Sequence, residues 1–189
     1  MTGRKRAAPR KITASLLDNV ALHYLERFAG SAADLRRVLM RRVARAAEHH
    51  ASDPAEGTAL VEALILRFQQ SGLIDDRRYA EARAASLRRR GGSRRGISAR
   101  LAQHGVERPL IAATLQALTE ETGGSDLAAA CAFIRRRRLG AYRTAAARPA
   151  SLEKDMATLA RAGFSFEVAR KVLACPDIEA LETLLAEDG

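Results

Sequence analysis

The sequence contains no tryptophan, and its three tyrosines and five phenylalanines bring the aromatic content to only 4%. Strands favour aromatic and β-branched residues, so this scarcity argues against a β-rich fold. The apolar residues make up 47% of the chain and are largely alanine and leucine, which favour helices. We therefore expect an all-α protein that is long enough to bury a core.

Cysteine is scarce as well. Cys131 and Cys175 lie far apart and form no CxxC pair, so neither a zinc site nor a disulfide framework is expected. This usage is typical of a reducing compartment, and we expect the cytoplasm. No apolar run approaches the roughly 20 residues of a membrane span, so no membrane partner is expected.

Acidic residues are in the minority. The chain has 32 Lys and Arg against 22 Asp and Glu, a net charge of +10, and most of the basic residues are arginine. The planar guanidinium suits paired contacts with phosphate or carboxylate, so the partner is expected to be acidic. The first twelve residues, "MTGRKRAAPRKI", carry five of these cations with no apolar stretch after them. We expect residues 1–12 to form a disordered basic arm.

Apolar residues recur at helical spacing along the rest of the chain, in three groups of three helices. The first helix is expected to carry its apolar face from Leu16 to Phe28, and Ser31 to cap the second helix. In the third group, one helix is expected to carry Leu152, Met156 and Leu159 on its apolar face. We assign residues 13–72 to helical repeat 1, residues 73–121 to repeat 2, and residues 122–189 to repeat 3 with an acidic C-terminal tail. Stacked repeats would form an elongated, curved array.

Internal similarity supports the repeats. The stretch "LAQHGVERPLIAATL" from Leu101 aligns without a gap with "LARAGFSFEVARKVL" from Leu159, and "FQQSGL" from Phe68 is a shorter match. Each contains a glycine that is expected to adopt a left-handed conformation after a helix, followed by an apolar residue that folds back onto that helix. The glycines are Gly72, Gly105 and Gly163, and the apolar residues are Leu73, Val106 and Phe164.

Three motifs invite a catalytic or ligand-binding interpretation. Asp75 and Asp76 are adjacent acids at a helix start, where they are favoured as caps. The segment "GGSRRGIS" has phosphate-loop spacing but lacks its lysine and follows a helix, so Ser93 is expected to cap a helix instead. His49 and His50 have poor geometry for one metal. We expect no catalytic residue, no cofactor and no metal, and hence no enzyme.

Arginine clusters recur in each repeat. The candidate binding residues are Arg36, Arg37, Arg41, Arg42, Arg88, Arg89, Arg90, Arg94, Arg95, Arg100, Arg135, Arg136, Arg137 and Arg138. Any one cluster could simply be a solvated face. Clusters at corresponding places in a stacked array would instead form one basic stripe, which suits an extended polyanion or an acidic polymeric partner.

The combination of these pieces resembles a known family. The stretches "ALHYLERFAGSAADLRRVLMRRV", "GLIDDRRYAEARAASLRRRGGSRRGISARLAQHGV" and "LARAGFSFEVARKVL" are similar to the RecX regulatory proteins of bacteria, and they span most of the chain. The resemblance implies three tandem three-helix repeats in an elongated, curved protein, and we expect a monomer. It would bind the RecA recombinase filament on DNA and inhibit its ATPase and strand-exchange activities, and weak, non-specific contact with the DNA is also implied.

Two other functions fit the same residues. The stretch "SARLAQHGVERPLIAATL" also matches two helices joined by a glycine turn, which is the pattern of a helix-turn-helix transcription regulator. A purely structural helical-repeat scaffold is the third interpretation. An operator reader would prefer one duplex by a factor of thousands, whereas a filament regulator would bind any DNA weakly and with strong salt dependence.

Overall fold

The computed structural model describes residues 11–50, 53–121 and 125–188. Within these ranges the protein contains ten α-helices and no β-strand, which confirms the all-α fold class. The chain divides into two compact units, Met1–Tyr79 and Ala80–Gly189. Residues 1–10 of the expected basic arm lie outside the described residues, and so do the linker positions 51–52 and 122–124.

The first unit is built on three helices. They are α1 (Ala14–Arg27), α2 (Ala32–His50) and α3 (Pro54–Gln70). Their shared core contains fully buried leucines, such as Leu17, Leu35 and Leu39, packed with Phe68 and Ile74. Since these apolar residues recur at helical spacing, the amphipathic pattern read from the sequence is the one that builds this core.

Side-chain caps fix where these helices begin. The hydroxyl of Thr13 accepts a hydrogen bond from the Leu16 N–H, and Asp53 accepts one from the Ala55 N–H at 2.8 Å. Ser31 is fully buried, and its Oγ accepts a hydrogen bond from the Asp34 N–H at 3.1 Å. The prediction that Ser31 caps the second helix is confirmed.

The remaining helices belong mainly to the second unit, with α4 starting just before its boundary. They are α4 (Asp76–Arg89), α5 (Arg94–Gln103), α6 (Arg108–Glu121), α7 (Asp126–Arg137), α8 (Arg148–Arg161), α9 (Phe166–Ala174) and α10 (Ile178–Glu187). Two short 3₁₀ turns, Gly140–Tyr142 and Ala145–Ala147, join α7 to α8. The main core of this unit lies between α7, α8, α9 and α10, around Ile134, Leu159 and Val172.

The acidic tail contains a helix that the sequence analysis did not assign. Asp177 caps α10 by accepting a hydrogen bond from the Ala180 N–H at 2.8 Å. Leu181 is only 2% exposed in the core, and Leu184 and Leu185 pack beside it. The acidic residues of α10 therefore sit on a helix that is anchored by its leucines.

The glycine turns follow the prediction in backbone conformation. Gly72, Gly105 and Gly163 have φ values of 72°, 74° and 90°, all in the left-handed region. Val106 and Phe164 fold back as expected, since each is buried and donates its N–H to a carbonyl five residues earlier. These bonds satisfy carbonyls that the helix end leaves free.

The prediction for Leu73 is wrong. Leu73 is 53% exposed, and the residue that folds back is Ile74, which is 4% exposed and donates its N–H to the Phe68 carbonyl. The turn after α3 is one residue longer, because Ile74 donates to a carbonyl six residues earlier, whereas Val106 and Phe164 donate to carbonyls five residues earlier.

Two residues predicted on buried helix faces are exposed. Phe28 follows the last residue of α1, and its extended backbone turns the side chain outward, leaving it 57% exposed. Leu152 lies in the second turn of α8 and is 50% exposed. In both cases the apolar periodicity continues past the part of the helix that is covered by its neighbours.

Candidate interaction surfaces

The paired aspartates of the "GLIDD" segment act as caps, but on two different helices. Asp75 precedes α4, and its Oδ1 accepts hydrogen bonds from the Arg77 and Arg78 N–H groups at 2.9 and 3.0 Å. Asp76 Oδ1 instead accepts a hydrogen bond from the N–H of Ala32, the first residue of α2, at 2.8 Å. Both carboxylates are therefore engaged with helix amides, as expected of caps.

The same arrangement recurs in the second unit. Ser125 caps α7 by accepting from the Leu127 N–H at 2.9 Å, which parallels Asp75. Asp126 is the first residue of α7, and its Oδ1 accepts from the N–H of Arg94, the first residue of α5, at 2.9 Å. An aspartate at the start of one helix thus caps a helix from the preceding group of three in both places.

The glycine-rich turn before α5 packs closely against neighbouring segments of the protein. Ser93 is fully buried, and its Oγ accepts from the Gly96 N–H at 2.9 Å, which confirms it as the cap of α5. The same hydroxyl donates to the Ala162 carbonyl at 2.7 Å. A Cβ on Gly91 would lie 2.6 Å from the Phe133 backbone nitrogen, so α7 approaches this turn backbone to backbone. The Ser93 hydroxyl and the backbone of this turn are therefore engaged in contacts within the protein.

Arg88 is a structural arginine. Its guanidinium donates to Asp126 Oδ1 and to the Ser125 carbonyl, both at 2.7 Å, and to the Gly92 carbonyl at 3.3 Å. The side chain is only 13% exposed. These contacts tie the end of α4 to the start of α7 and leave Arg88 the least accessible of the candidate arginines.

Arg36 and Arg37 of α2 are also paired. Arg36 forms a two-pronged ion pair with Glu62 of α3, with Nε–Oε1 and Nη2–Oε2 distances of 2.7 and 2.6 Å. Its hydrogen bonds lower the pKa of the Glu62 carboxyl. Arg37 donates to Asp34 Oδ1 at 2.9 Å, one turn earlier on the same helix.

Arg94 and Arg100 of α5 contact neutral side chains. Arg94 Nη1 donates to Thr119 Oγ1 at 3.0 Å, while its backbone N–H is the one held by Asp126. Arg100 Nη1 donates to Gln103 Oε1 at 2.9 Å. Both side chains lie on the surface, so their positive charge is still available to a partner.

The other candidate arginines are exposed and have no carboxylate partner within the described part of the chain. They are Arg41 and Arg42 in the first unit, and Arg89, Arg90, Arg95, Arg135, Arg136, Arg137 and Arg138 in the second. Arg137 lies over the Phe133 ring, 5.5 Å from its centroid. Arg138 ends α7 in a left-handed conformation, with φ of 54°. Contact between these arginines and a partner stays a prediction.

The carboxylates that pair with the arginines were not predicted from the sequence. Asp155 is almost fully buried and accepts from Arg143 Nε and Nη2, both at 2.8 Å, and from the Gly140 N–H at 3.0 Å. No sequence pattern around Asp155 predicts its ion pair with Arg143. For Asp126 the sequence does contain a signal, because "SD" at Ser125 parallels "DD" at Asp75, and Ser125 and Asp75 both cap the helix that follows.

Residues 11–50, 53–121 and 125–188 contain neither a metal-binding cluster nor a membrane-spanning helix. No group of three or more histidine, cysteine or acidic side chains in that part of the chain could hold a metal ion. No helix there is long and apolar enough to cross a membrane.

Comparison with known proteins identifies relatives that span nearly the whole chain. Residues 75–115 match the family model described as RecX, second three-helix domain. The Regulatory protein RecX of Myxococcus xanthus is 42% identical over 172 residues, covering 90% of each chain. The Regulatory protein RecX of Agrobacterium fabrum is 35% identical over 166 residues, covering 88% of this chain and 86% of its own. No solved structure matches significantly. On the strength of these two full-length similarities, the chain belongs to the RecX family of regulatory proteins.

Proposed function

We propose that this RecX family member is a cytoplasmic, monomeric regulator that binds the filament formed by the RecA recombinase on DNA and inhibits its ATPase and strand-exchange activities. It acts by occupying the filament and carries out no chemistry of its own. Membership of a family of regulatory proteins supports the regulatory part of this proposal. The arginine surfaces support the choice of an acidic, extended partner.

One observation carries the proposal. Both units present exposed arginines that have no carboxylate partner among the described residues, including Arg41 and Arg42 on α2 and Arg89, Arg90 and Arg95 around the start of α5. Like charges that lie close together on a surface repel one another. An acidic partner neutralises such a cluster and removes this repulsion, so arginine clusters favour binding to an acidic partner. A nucleoprotein filament offers both carboxylates and phosphates.

The helix-turn-helix alternative places α6 in the DNA major groove, since α6 follows the glycine turn after α5. The exposed positions of α6 are poor in base-reading side chains: Arg108 is its one cation, Gln116 donates a hydrogen bond to Glu120 at 3.2 Å, and Glu120 and Glu121 end the helix. A recognition helix reads base edges with side chains such as Arg, Lys, Asn and Gln. The composition of α6 therefore favours the filament regulator.

The test is an ATPase assay with the recombinase assembled on single-stranded DNA. Adding the full-length protein should reduce ATP turnover, and reduction at amounts well below one per recombinase would indicate capping of filament ends. The triple variant R89A/R90A/R95A should need at least tenfold more protein for the same inhibition. The matched control R77A/R78A/R108A removes the same charge from other exposed arginines and should inhibit like the unaltered protein.

Two results would contradict the proposal. One is unchanged ATP turnover at every concentration of the unaltered protein. The other is strong preference for a single duplex sequence in the absence of recombinase, which would support a transcription regulator instead.

A further inference from the structure

A cleft of about 470 Å³ opens in the second unit, between the end of α4, the exposed side of α5, the middle of α7 and the end of α8. Its wall is largely apolar and includes Leu87, Ile97, Ala99, Phe133 and Ala162. Ligand pockets commonly have volumes from about 300 to 1,000 Å³ and mostly apolar walls. This feature, the α5 cleft, is therefore large enough to accept one large apolar side chain.

Backbone atoms of three glycines form one side of the α5 cleft. Gly91, Gly92 and Gly96 line it, and a Cβ on these residues would lie 2.6, 2.9 and 2.7 Å from backbone atoms of other residues. The Ser93 hydroxyl donates to the Ala162 carbonyl at 2.7 Å, which joins the start of α5 to the end of α8. Because the walls are already fixed to one another, a ligand would not have to order them on binding.

Two cations lie at the α5 cleft. Arg100 and Arg161 line it, and both side chains are exposed. Arg100 Nη1 donates to Gln103 Oε1 at 2.9 Å, and Arg161 Nη2 donates to Thr158 Oγ1 at 3.3 Å, so neutral oxygens orient both guanidinium groups. Among the described residues, no acidic side chain lines the cleft. The site therefore combines an apolar wall with positive charge that no carboxylate in its lining neutralises.

We propose that the α5 cleft binds an acidic segment of a protein partner. One large apolar side chain of that segment inserts between α5 and Phe133, and the carboxylates on either side of it pair with Arg100 and Arg161. This goes beyond the proposed regulation of the recombinase, because it assigns recognition of protein to one cleft and can be tested without recombinase. Of the residues that line the cleft, only Arg100 is a candidate binding residue from the sequence.

The state of the Phe133 ring favours a peptide over nucleic acid as the ligand. Proteins that bind single strands present aromatic rings on which the bases stack. Arg137 lies over the Phe133 ring, 5.5 Å from its centroid, and Phe164 packs against Phe133 in a T-shaped arrangement, with the ring centroids also 5.5 Å apart. The other apolar wall residues are aliphatic. The cleft therefore offers burial for an apolar side chain and little open aromatic surface for a base.

The protein has no tryptophan, so a tryptophan in the ligand reports binding directly. The emission of the peptide acetyl-Glu-Glu-Trp-Glu-Glu-amide should shift to shorter wavelength when the unaltered protein is added, because the indole leaves water. The peptide acetyl-Lys-Lys-Trp-Lys-Lys-amide should show no shift. No shift for the acidic peptide, or equal shifts for the two peptides, would overturn the proposal.

Competitor peptides separate apolar contact from charge. Acetyl-Glu-Glu-Leu-Glu-Glu-amide should displace the acidic tryptophan peptide from the unaltered protein. The same peptide with glycine at its centre carries an equal charge, and about tenfold more of it should be needed. Equal displacement by the two competitors would show that charge alone holds the peptide, and the cleft would then not be its binding site.

Filling the cleft tests its position. Ala99 is exposed on α5 and lines the cleft, so Ala99→Leu occupies the space without removing a contact and should weaken peptide binding about tenfold. Ala102→Leu is the matched control, since Ala102 is exposed on the same helix and does not line the cleft. Full affinity of a folded Ala99→Leu protein, or equal losses for the two variants, would contradict the proposal.

Reversing the charges tests the two arginines. The double variant R100E/R161E should weaken binding of the acidic tryptophan peptide about tenfold relative to R77E/R108E. The two double variants have the same net charge, and Arg77 and Arg108 are exposed outside the cleft. Equal affinities would show that the peptide responds only to the overall charge of the protein. Thermal unfolding identifies any variant that does not fold, and the two peptide comparisons with the unaltered protein do not depend on it.

Other occupants of the α5 cleft give distinct outcomes. If Ala99→Leu weakens binding of a labelled thymidine 20-mer and leaves peptide binding unchanged, the cleft binds nucleic acid. If the unaltered protein dimerises in sedimentation velocity and Ala99→Leu is monomeric, the occupant is a second copy of the chain. Either result would refute the proposal. If the peptide does not bind but inhibition of ATP turnover persists, the cleft proposal fails and the recombinase proposal stands.

Discussion

Asp126, the first residue of α7, accepts a hydrogen bond at 2.9 Å from the backbone N–H of Arg94, the first residue of α5. Asp76 makes the corresponding contact with Ala32 at 2.8 Å. The two aspartates differ in one respect, because Asp126 also receives the guanidinium of Arg88 at 2.7 Å. That difference predicts unequal consequences for their removal.

Replacing Asp126 by alanine should cost more stability than replacing Asp76. Asp76→Ala removes one helix cap, at a cost of about 1 kcal/mol. Asp126→Ala removes a cap and also leaves the partly buried Arg88 guanidinium without its carboxylate partner. We therefore expect a loss of about 3 kcal/mol in the free energy of unfolding. Urea unfolding measures both, with the exposed Glu153→Ala as control. Equal losses for the two aspartates would show that the Arg88 contact adds nothing.

Substitution of two neighbouring arginines at the end of α4 should have different effects, one on stability and the other on binding. Arg88→Ala removes bonds to Asp126, Ser125 and Gly92 and should lower the free energy of unfolding by about 2 kcal/mol. Arg89→Ala removes an exposed side chain and should leave stability within about 0.5 kcal/mol. Recombinase inhibition per folded molecule should fall for Arg89→Ala. If it falls only for Arg88→Ala, the binding surface has been misplaced.

Substitution by alanine should cost different amounts of stability at two glycines that have a left-handed backbone conformation. At Gly72 a Cβ would meet no atom within 4 Å, so Gly72→Ala should cost only the backbone conformation, about 1 kcal/mol. At Gly91 it would also lie 2.6 Å from the Phe133 nitrogen and 2.8 Å from the Ala129 oxygen. Gly91→Ala should cost about 3 kcal/mol. Thermal unfolding compares the two, and similar losses would mean that α7 yields to the added methyl group.

Asp155 should make the free energy of unfolding depend on pH in the acidic range. Burial alone would raise the pKa of Asp155, but the hydrogen bonds from Arg143 and the Gly140 N–H more than offset it, and the pKa is lowered. A carboxyl whose folded pKa lies below its unfolded value stabilises the protein above the unfolded pKa, near 4, and loses that contribution as the pH falls through the folded pKa.

The variant Asp155→Asn isolates this contribution. It keeps the shape of the side chain, cannot titrate, and should lose about 3 kcal/mol at neutral pH. The urea midpoint should therefore fall less steeply for Asp155→Asn than for the unaltered protein between about pH 5 and pH 2. The exposed Glu153→Gln is the matched control. Parallel curves for Asp155→Asn and the unaltered protein would contradict the assignment.

Cys131 should be inert in the folded protein. Burial, with smaller effects from Cys175 and Asp188, raises the pKa of its thiol to about 11, so roughly one molecule in a thousand carries the thiolate at pH 8. Iodoacetamide should label Cys131 only after unfolding, as measured by peptide mass spectrometry. Cys175 is less buried and should be labelled earlier. Rapid native labelling of Cys131 would indicate frequent opening of the core around α7.

Much of the fold could be predicted because its determinants are local. Apolar periodicity gave the helices, and residues such as Ser31, Ser93 and Gly105 mark helix ends through contacts within a few positions. Phe28 and Leu73 were misassigned for the same reason. A side chain at a helix end is buried only if a distant segment covers it, and local periodicity does not report that.

The engagement of the arginines could not be predicted from the sequence. Arg88 and Arg89 are neighbours with identical chemistry, yet one reaches across 38 positions to Asp126 and the other faces solvent. Which of them is engaged depends on the packing of α4 against α7. The basic clusters are therefore visible in the sequence, whereas only the structure distinguishes the arginines that stabilise the fold from those that are exposed to a partner.

The aspartate caps also limit how an anion can be bound. Exposed amides at the start of a helix often cradle phosphate groups, helped by the positive end of the helix dipole. In α2 and α5 the first amide already faces a carboxylate, from Asp76 and Asp126. At these two helix starts a phosphate would therefore have to be held by long guanidinium side chains, and salt screens such exposed charges, so the binding would weaken as the ionic strength rises.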